Sequence, residues 1–287
     1  MANKVSIIVR TRDRVALLKR AIKSITMQNF YDWEIIVVNN GGDLYIIKEM
    51  LSGFSNYINR INLVSITKPL GMEAATNLGI KKSTGEYITL LDDDDTWEQD
   101  FLRKCVAILD LYPDVGGVVT QTSLITEEFI SDKFMQLDKR PFNPKLNKIV
   151  FNNLAKHNLY TTNAFMYRRC LLEGIGLYRE DLLVLGDWEF NIRFNLMNKT
   201  FVISETLANY HKRLGNNISG SLSNSSLNLH FKYDTLIRKE YLKLGVKNLK
   251  LFYFGIKIYV LGIIINVKRF GLLRYFRELQ KRNFKDA

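Results

Sequence analysis

The sequence predicts an α/β fold in which a mostly parallel central sheet has helices on both faces. Over the first hundred residues, β-branched apolar runs alternate with segments of helical spacing. The runs predicted as strands are residues 5–9, 34–38, 61–66 and 87–91. Leu18, Ile22 and Ile25 recur at helical spacing after Asp13, the predicted N-cap. Repeated β-α-β units of this size build parallel sheets.

The second hundred residues are less regular. Residues 115–120 and 164–167 are predicted strands, and residues 121–148 are expected to be irregular. At 47% hydrophobic, the 287 residues can bury a sizeable core. Cys105 and Cys170 give neither a disulfide framework nor metal-ligand spacing. The apolar run near the N-terminus is too short for a signal peptide, so we expect a cytoplasmic protein.

Most of the net charge of +12 lies near the C-terminus. Residues 231–287 hold 14 Lys and Arg against 4 Asp and Glu, a net charge of +10. Residues 251–265 are apolar apart from one lysine, but a spanning helix needs about 20 such residues. We therefore predict that residues 221–287 form a basic amphipathic helical tail on a membrane surface. Packing on the rest of the protein is the alternative. Nucleic acid is not expected, because no recognised binding motif accompanies the charge.

Four consecutive aspartates, residues 92–95, directly follow the strand predicted at 87–91. Two carboxylates about 5 Å apart repel by roughly 3 kcal/mol at an effective dielectric near 20. Solvent, basic neighbours or a bound cation must offset this repulsion. Oxygen ligands suit Mg²⁺ or Mn²⁺, and a solvated acidic turn is the alternative. Thr11, Arg12, Asp13 and Asn40 follow other strands of the same sheet, at the edge where α/β folds bind ligands.

Standard phosphate, zinc and hydrolase motifs are absent: the sequence has no G-x-G-x-x-G, G-K-[ST], H-E-x-x-H or G-x-S-x-G. Instead, VSIIVRTRDR, EIIVVNNGGD and GMEAATNLGIKKSTGEYITLLDDDDTW resemble the nucleotide-binding half of family 2 glycosyltransferases of the GT-A fold. NAFMYRRCLLEGIGLYRED and GDWEFNIRF resemble the family's acceptor-side strand, helix and acidic E-D-W segment. The resemblance covers about residues 4 to 215. It implies one domain at 1–220, with a nucleotide-binding half at 1–100 and an acceptor half at 101–220.

The resemblance also implies site residues. Asp94 and Asp92 match the metal-binding carboxylates, and Asp187 matches the catalytic base. The donor-binding positions are Thr11, Arg12, Asp13, Asn40, Asp92, Asp93, His211 and Arg213. Asn40 stands where an aspartate usually reads uracil, and an amide can pair with uracil too. A helix N-cap is the structural alternative for Asp187, and Glu189 is the alternative base. A lone histidine such as His211 is more often structural.

The resemblance implies inverting, Mn²⁺- or Mg²⁺-dependent transfer of a sugar from a nucleotide sugar, favouring a UDP-sugar. The expected acceptor is a hydroxyl of a glycan or a polyprenyl-diphosphate-linked glycan, in bacterial surface-polysaccharide synthesis at the inner face of the cytoplasmic membrane. One alternative is a non-catalytic, membrane-associated scaffold that binds nucleotide sugars. Another is a sugar-1-phosphate nucleotidyltransferase, but those enzymes usually have a glycine-rich loop after the first strand, and VRTRDR has no glycine.

Overall fold

The computed structural model describes residues 4–130, 133–214, 227–247 and 249–270. The chain divides into two compact units. The first is drawn from Met1–Ile149 and Leu159–Ser225, and the second from Val150–Asn158 and Ser226–Ala287. The described strands lie in the first unit. They are β1 (Val5–Thr11), β2 (Trp33–Asn40), β3 (Ile61–Ile66), β4 (Tyr87–Asp92), β5 (Thr96–Trp97), β6 (Val115–Ile130), β7 (Lys133–Pro141), β8 (Phe165–Arg168) and β9 (Lys199–Arg213).

The described strands form one nine-stranded sheet in the order β3-β2-β1-β4-β8-β6-β9-β5, with β7 paired to β6. The pairings among β1 to β4 are all parallel. The antiparallel pairings involve β5, β7 and β8. The helices of this unit are α1 (Val15–Thr26), α2 (Leu44–Ser52), α3 (Met72–Lys82), α4 (Phe101–Leu111), α6 (Leu172–Ile175) and α7 (Gly186–Met197). The predicted α/β class is therefore confirmed, with a parallel first half and a mixed second half.

The buried apolar faces of the first four strands position their carboxyl ends. In β1, Val5, Ile7 and Val9 are fully buried in the core cluster of this unit. The amphipathic helix α1 packs Leu18 and Ile22 into the same cluster. Strands β1, β2 and β4 run one or two residues beyond their predicted ends, because their terminal polar residues still pair in register, and β3 ends where it was predicted to end. Core burial thus fixes which polar residues emerge at the sheet edge.

Two predictions about local structure are wrong. The N-cap of α1 is Arg14, without a side-chain cap hydrogen bond, because Asp13 turns away with a φ of 53°. The segment predicted to be irregular, 121–148, contains most of β6 and all of β7. Residues of β7 are mostly exposed and mixed in charge, so this strand shows little hydrophobic alternation. It forms because β6 supplies a partner for its backbone hydrogen bonds.

The second unit contains α5 (Phe151–Leu154), α8 (Leu227–Lys247) and α9 (Leu249–Phe270). The buried Arg238 of α8 donates to the carbonyl oxygens of Ala155 at 2.7 Å and Ile258 at 2.9 Å. It also pairs with Asp234 at 2.8 Å. No described helix has the length and apolarity needed to cross a membrane. Parts of the predicted tail, residues 221–226, 248 and 271–287, lie outside the described residues.

Candidate active site

Polar side chains meet at the edge formed by the carboxyl ends of β1, β2 and β4. The strand register sets Arg10 beside Asp92 and Thr11 beside Asn39. Thr11 is buried, whereas the Arg12 side chain that follows is 55% exposed. Because these parallel strands end side by side, their polar ends share one edge of the sheet, where α/β folds bind ligands.

Two arginines bind the middle of the acidic loop at residues 92–95. Arg14 donates from Nε to Asp93 Oδ2 and from Nη1 to Asp94 Oδ2, each at 3.1 Å. Arg213, at the end of β9, donates from Nη2 to the same Asp94 oxygen at 2.7 Å. Although burial raises the pKa of Asp94, these guanidinium groups lower it below its ordinary value. Basic neighbours therefore offset the repulsion, which is one of the three possibilities left open by the sequence.

Arg10 binds the first aspartate of the loop and also reaches α3. Its Nε donates to Asp92 Oδ1 at 2.9 Å, and its Nη1 donates to Thr76 Oγ1 at 3.0 Å. The same Nη1 lies 3.9 Å from Glu73 Oε2, and the Arg10 side chain is only 12% exposed. A shielded guanidinium group thus joins the acidic loop to a carboxyl group on α3 that the sequence did not indicate.

A buried network supports the acidic loop from behind. Glu127 Oε2 accepts from Arg20 Nη1 and contacts His211 Nδ1, both at 2.8 Å. His211 Nε2 lies 2.9 Å from Thr96 Oγ1, and its backbone N–H donates to Asp95 Oδ1 at 3.0 Å. Burial raises the pKa of Glu127, but His211 and Arg20 outweigh burial and lower this pKa to about 2. A direct contact of His211 with metal or diphosphate stays a prediction. To make such a contact, the His211 ring would first have to lose its contact with Glu127 or with Thr96.

The predicted nucleotide-binding loops are held by their own side chains. Asp13 Oδ1 accepts from the N–H of Asp43 at 3.2 Å, which joins the loops after β1 and β2. Asn40 Oδ1 accepts from the N–H of Leu70 at 2.9 Å, and its Nδ2 donates to the carbonyl of Gly71 at 3.2 Å. The Asn40 amide therefore binds the loop before α3, and its predicted contact with a base stays a prediction.

Asp187 lies in the first turn of α7, within the predicted acceptor half. The N-cap of this helix is Leu185, so the alternative interpretation of Asp187 as an N-cap is wrong. Thr162 Oγ1 donates to Asp187 Oδ2 at 3.4 Å. Burial raises the pKa of Asp187, and the positive charge of Arg10 partly offsets that rise. A carboxylate with a raised pKa accepts a proton more readily near neutral pH.

Glu189, the alternative base, is engaged in an ion pair. Arg193 donates from Nε and Nη2 to the two carboxylate oxygens of Glu189 at 3.0 and 2.8 Å. The same guanidinium group donates to the carbonyl of Leu177 at 2.9 Å. Bidentate pairing stabilises the ionised carboxylate and occupies both of its oxygens. We therefore retain Asp187 as the predicted base.

The donor set at the acidic loop fits a hard divalent cation. Among the described residues, no group of three or more His, Cys, Asp or Glu side chains is arranged to hold a metal. Mg²⁺ in enzymes usually binds one or two carboxylates together with substrate phosphates. Asp92 and Asp94 can provide these carboxylates. Arg213 Nε and Nη1 are buried and have no hydrogen-bond partner in the described structure. Buried donors without an acceptor are costly, so they fit an anion that shares the site with the cation.

Several charged residues of this site were not predicted from the sequence. They are Arg10, Arg14, Arg20, Glu73 and Glu127. The sequence could have indicated Arg10 and Arg14, because they flank the predicted Thr11–Asp13 turn within VRTRDR. No sequence pattern indicated the two glutamates, since Glu73 lies inside a helix and Glu127 in a segment expected to be irregular. Their partners are distant in sequence and meet them only in the folded chain.

Comparison with known families decides the identity of the chain. The model of glycosyl transferase family 2 matches residues 6–175, which is more than half of the chain. The chain belongs to glycosyl transferase family 2. The predicted family and the predicted enzyme class, a glycosyltransferase, are thereby confirmed.

Relatives of this family 2 chain bear glycosyltransferase names. YwdF of Bacillus subtilis, an uncharacterized glycosyltransferase, is 26% identical over 193 residues, covering 66% of this chain and 67% of YwdF. Rv2957 of Mycobacterium tuberculosis, a PGL/p-HBAD biosynthesis glycosyltransferase, is 26% identical over 241 residues, covering 83% and 82%. WcaA of Escherichia coli, named for colanic acid biosynthesis, is 27% identical over 176 residues, covering 59% and 60%.

Two solved structures share the fold of this family 2 chain. Staphylococcus aureus TarS 1–349 in complex with UDP-GlcNAc has a TM-score of 0.62 at 20% identity, over 83% of this chain and 66% of that one. The mannosyltransferase PcManGT from Pyrobaculum calidifontis, in complex with GDP-Man and Mn²⁺, has a TM-score of 0.60 at 13% identity, over 100% and 81%. The chain thus spans about two thirds of TarS 1–349 and 40% of the longer TarS chain. At these identities the likeness concerns the fold, and it confirms the predicted GT-A fold.

Proposed function

We propose that this chain is an inverting, metal-dependent glycosyltransferase. It moves a sugar from a nucleotide sugar, by preference a UDP-sugar, to a hydroxyl of a glycan or a polyprenyl-diphosphate-linked glycan in surface-polysaccharide synthesis. One observation carries the proposal. Arg10 donates to Asp92 of the acidic loop at 2.9 Å and lies 3.9 Å from Glu73, whose carboxyl group packs against Gly186, the neighbour of Asp187 in α7. This arrangement supports an anion site for the donor and a base for the acceptor that serve a single substrate pair.

The acceptor side performs the proton transfer. Asp187 takes the proton of the acceptor hydroxyl while that oxygen forms a bond to the anomeric carbon of the donor sugar. The bond between the anomeric carbon and the diphosphate oxygen breaks, and its electron pair leaves with the nucleoside diphosphate. A single displacement from the opposite face inverts the anomeric configuration. The pKa of Asp187, raised by burial, supports its role as the proton acceptor.

The donor side binds the charged leaving group. Asp94 and Asp92 would hold Mn²⁺ or Mg²⁺, and the bound ion supplies Lewis-acid stabilisation of the departing diphosphate. The Nε and Nη1 donors of Arg213 bind diphosphate oxygens; neither has a hydrogen-bond partner in the described structure, although Nη1 lies 4.0 Å from Glu127 Oε1. The remaining proposed donor contacts are Thr11, Arg12, Asp13, Asn40, Asp93 and His211. A UDP-sugar is supported by the UDP-GlcNAc complex of TarS, and a polysaccharide product by the name of WcaA.

Nucleoside diphosphate release tests this proposal. The purified protein is incubated with a panel of UDP- and GDP-sugars and alkyl glycoside acceptors, with Mn²⁺ or with EDTA. We expect Mn²⁺-dependent release of UDP from at least one donor, and a product of inverted anomeric configuration by NMR. Absence of release from every donor, together with absence of metal-dependent nucleotide binding, would refute the transferase. Retained configuration would refute only the one-step mechanism.

We also propose that the second unit attaches the enzyme peripherally to the inner face of the cytoplasmic membrane, near a lipid-linked acceptor. Three apolar side chains of α9, Ile256, Val260 and Ile264, recur every four residues and are 39%, 45% and 45% exposed. The segment from 231 to 287 carries a net charge of +10. An apolar stripe on a helix within a basic stretch of sequence suits the surface of an anionic bilayer.

Sedimentation with vesicles tests the membrane proposal. We expect the protein to sediment with vesicles that contain anionic phospholipid, and less so with neutral vesicles or at high salt. The double substitution Ile256→Glu and Val260→Glu should abolish sedimentation, whereas Ile58→Glu, at an exposed apolar position of the first unit, should not. Sedimentation that survives the double substitution would count against α9 as the attachment surface.

A further inference from the structure

The glycine at position 186 is explained by a carboxyl group from a distant part of the chain. Gly186 is the first residue of α7, and it stands where the resembled E-D-W segment has its glutamate. A Cβ placed on Gly186 would lie 2.5 Å from Oε1 and 2.6 Å from Cδ of Glu73. Non-bonded atoms do not approach so closely. Glu73 therefore occupies the space that a side chain at position 186 would need.

Glu73 is held in this place by its own helix and by Arg10. It is only 6% exposed, and Arg10 Nη1 lies 3.9 Å from its Oε2. One turn further along α3, Asn77 Nδ2 donates to the carbonyl of Tyr178 at 2.8 Å, and Asn77 Oδ1 accepts from the N–H of Tyr178 at 3.0 Å. These two buried hydrogen bonds fix α3 to the segment that precedes α7. The position of Glu73 beside α7 is thus determined by the fold.

We propose that Glu73 is a positioning residue of the acceptor site, which replaces the acidic side chain absent at position 186 and acts through Asp187. The proposal rests on the proposed function, in which Asp187 accepts the acceptor proton. A second negative charge beside the first turn of α7 disfavours a negative charge on Asp187. It therefore increases the proton affinity of Asp187 at the moment when the acceptor hydroxyl loses its proton.

The charges around Glu73 support this role. The charged and titratable groups that face it are Arg10 of β1, Asp92 of β4, Tyr178, and Asp187 and Glu189 of α7. Burial raises the pKa of Glu73 to about 7, so above that pH the site contains a charge that destabilises the fold. Glutamine would fill the same space without that penalty. A buried carboxyl group that opposes stability beside a predicted base is typical of a functional site.

Isosteric neutralisation is the first test. In the UDP-release assay at pH 8, we expect Glu73→Gln to lower kcat about tenfold, because loss of the neighbouring negative charge lowers the proton affinity of Asp187. The donor KM should not change, and the melting temperature should be equal or higher. The matched control is Glu49→Gln, at an exposed position of α2. Unchanged kcat in Glu73→Gln would overturn the proposal, and so would a loss of kcat that follows a lowered melting temperature.

Relocation of the carboxyl group is the second test. Gly186→Glu alone should unfold or inactivate the protein, because its side chain meets Glu73. Combined with Glu73→Ala, the same Gly186→Glu substitution should restore kcat to within about threefold, whereas Glu73→Ala with Gly186→Gln should remain at about one tenth. Equal activity of the two double variants would overturn the role of the charge. Absence of UDP release from the unaltered protein would instead overturn the proposed function, and this proposal with it.

Discussion

Asp94 on one side of Arg10, and Asp187 and Glu73 on the other, experience opposite environments, although burial also raises the pKa of Asp93 beside Asp94. On the donor side, Asp94 accepts hydrogen bonds from two guanidinium groups, which lower its pKa although burial opposes them. On the acceptor side, burial raises the pKa of Asp187 and of Glu73, and Arg10 only partly offsets the rise. The two sides use the same chemical group, and their surroundings alone distinguish them.

This difference separates two tasks within one site. A carboxylate that stays ionised can hold a cation and, through its arginine partners, an anionic ligand. A carboxylate with a raised pKa can accept a proton near neutral pH. Substitutions on one side should therefore change donor binding, and those on the other side should change the transfer step. Substitutions of Asp94, of Asp187 and of Glu73 each change one side, and substitution of Arg10 changes the connection between them.

The largest effect is expected at Asp187. Replacement by asparagine keeps the shape but removes the base, so we expect kcat to fall about 10³-fold, while the Kd for UDP in the presence of Mn²⁺ stays unchanged. UDP release and calorimetric titration measure the two quantities. Asp181→Asn, at an exposed ion pair with Arg179, is the matched control. Activity within tenfold of the unaltered enzyme would remove Asp187 from the role of base.

Arg10→Met breaks the connection between the two sides. It leaves Asp92 and Glu73 near each other without their shared cation, and removal of one partner from a buried ion pair costs about 3 kcal/mol. We expect that loss in the free energy of unfolding at pH 8 in urea. Arg103→Met, where the ion pair with Asp100 is exposed, should leave the free energy of unfolding nearly unchanged. Equal effects of the two substitutions would show that Arg10 contributes no more than a surface arginine.

Asp94→Asn affects the donor side alone. The amide weakens cation binding and removes the carboxylate that Arg14 and Arg213 share, although Arg14 keeps its contact with Asp93. We expect Mn²⁺-dependent affinity for UDP to fall about 30-fold, or ~2 kcal/mol. Binding of UDP in EDTA should change little. Asp114→Asn, at an exposed ion pair with Lys199, controls for net charge. Unchanged Mn²⁺-dependent binding would remove Asp94 from the metal site.

The acidic loop could be located from the sequence, whereas most of its charged partners and the contact of Glu73 with α7 could not. The strand that ends in four aspartates is a local pattern, and parallel register brings its neighbours to the same edge. The choice of Asp92 and Asp94 within the loop came from the family resemblance and stays a prediction. The contact of Glu73 with Gly186 joins distant segments and leaves no periodic signal. β7 was missed for a related reason, because its exposed residues do not alternate and only pairing with β6 makes it a strand.

The smallest effect concerns stability on the acceptor side as pH changes. The pKa of Glu73 is about 7 in the folded chain against 4.5 ordinarily. Between these values the folded state binds the proton more tightly than the unfolded state, so stability falls as pH rises. We expect this group to reduce the free energy of unfolding by about 2 kcal/mol between pH 4.5 and pH 7.5.

Urea denaturation across that pH range measures the effect. Glu73→Gln should remove this part of the decline and make the protein more stable than the unaltered chain at pH 7.5, whereas Glu49→Gln should leave the slope unchanged. A decline of the same slope in both variants would mean that Glu73 ionises at its ordinary pKa. The acceptor side would then lack its second buried charge, and the contrast with the arginine-bound donor side would rest on Asp187 alone.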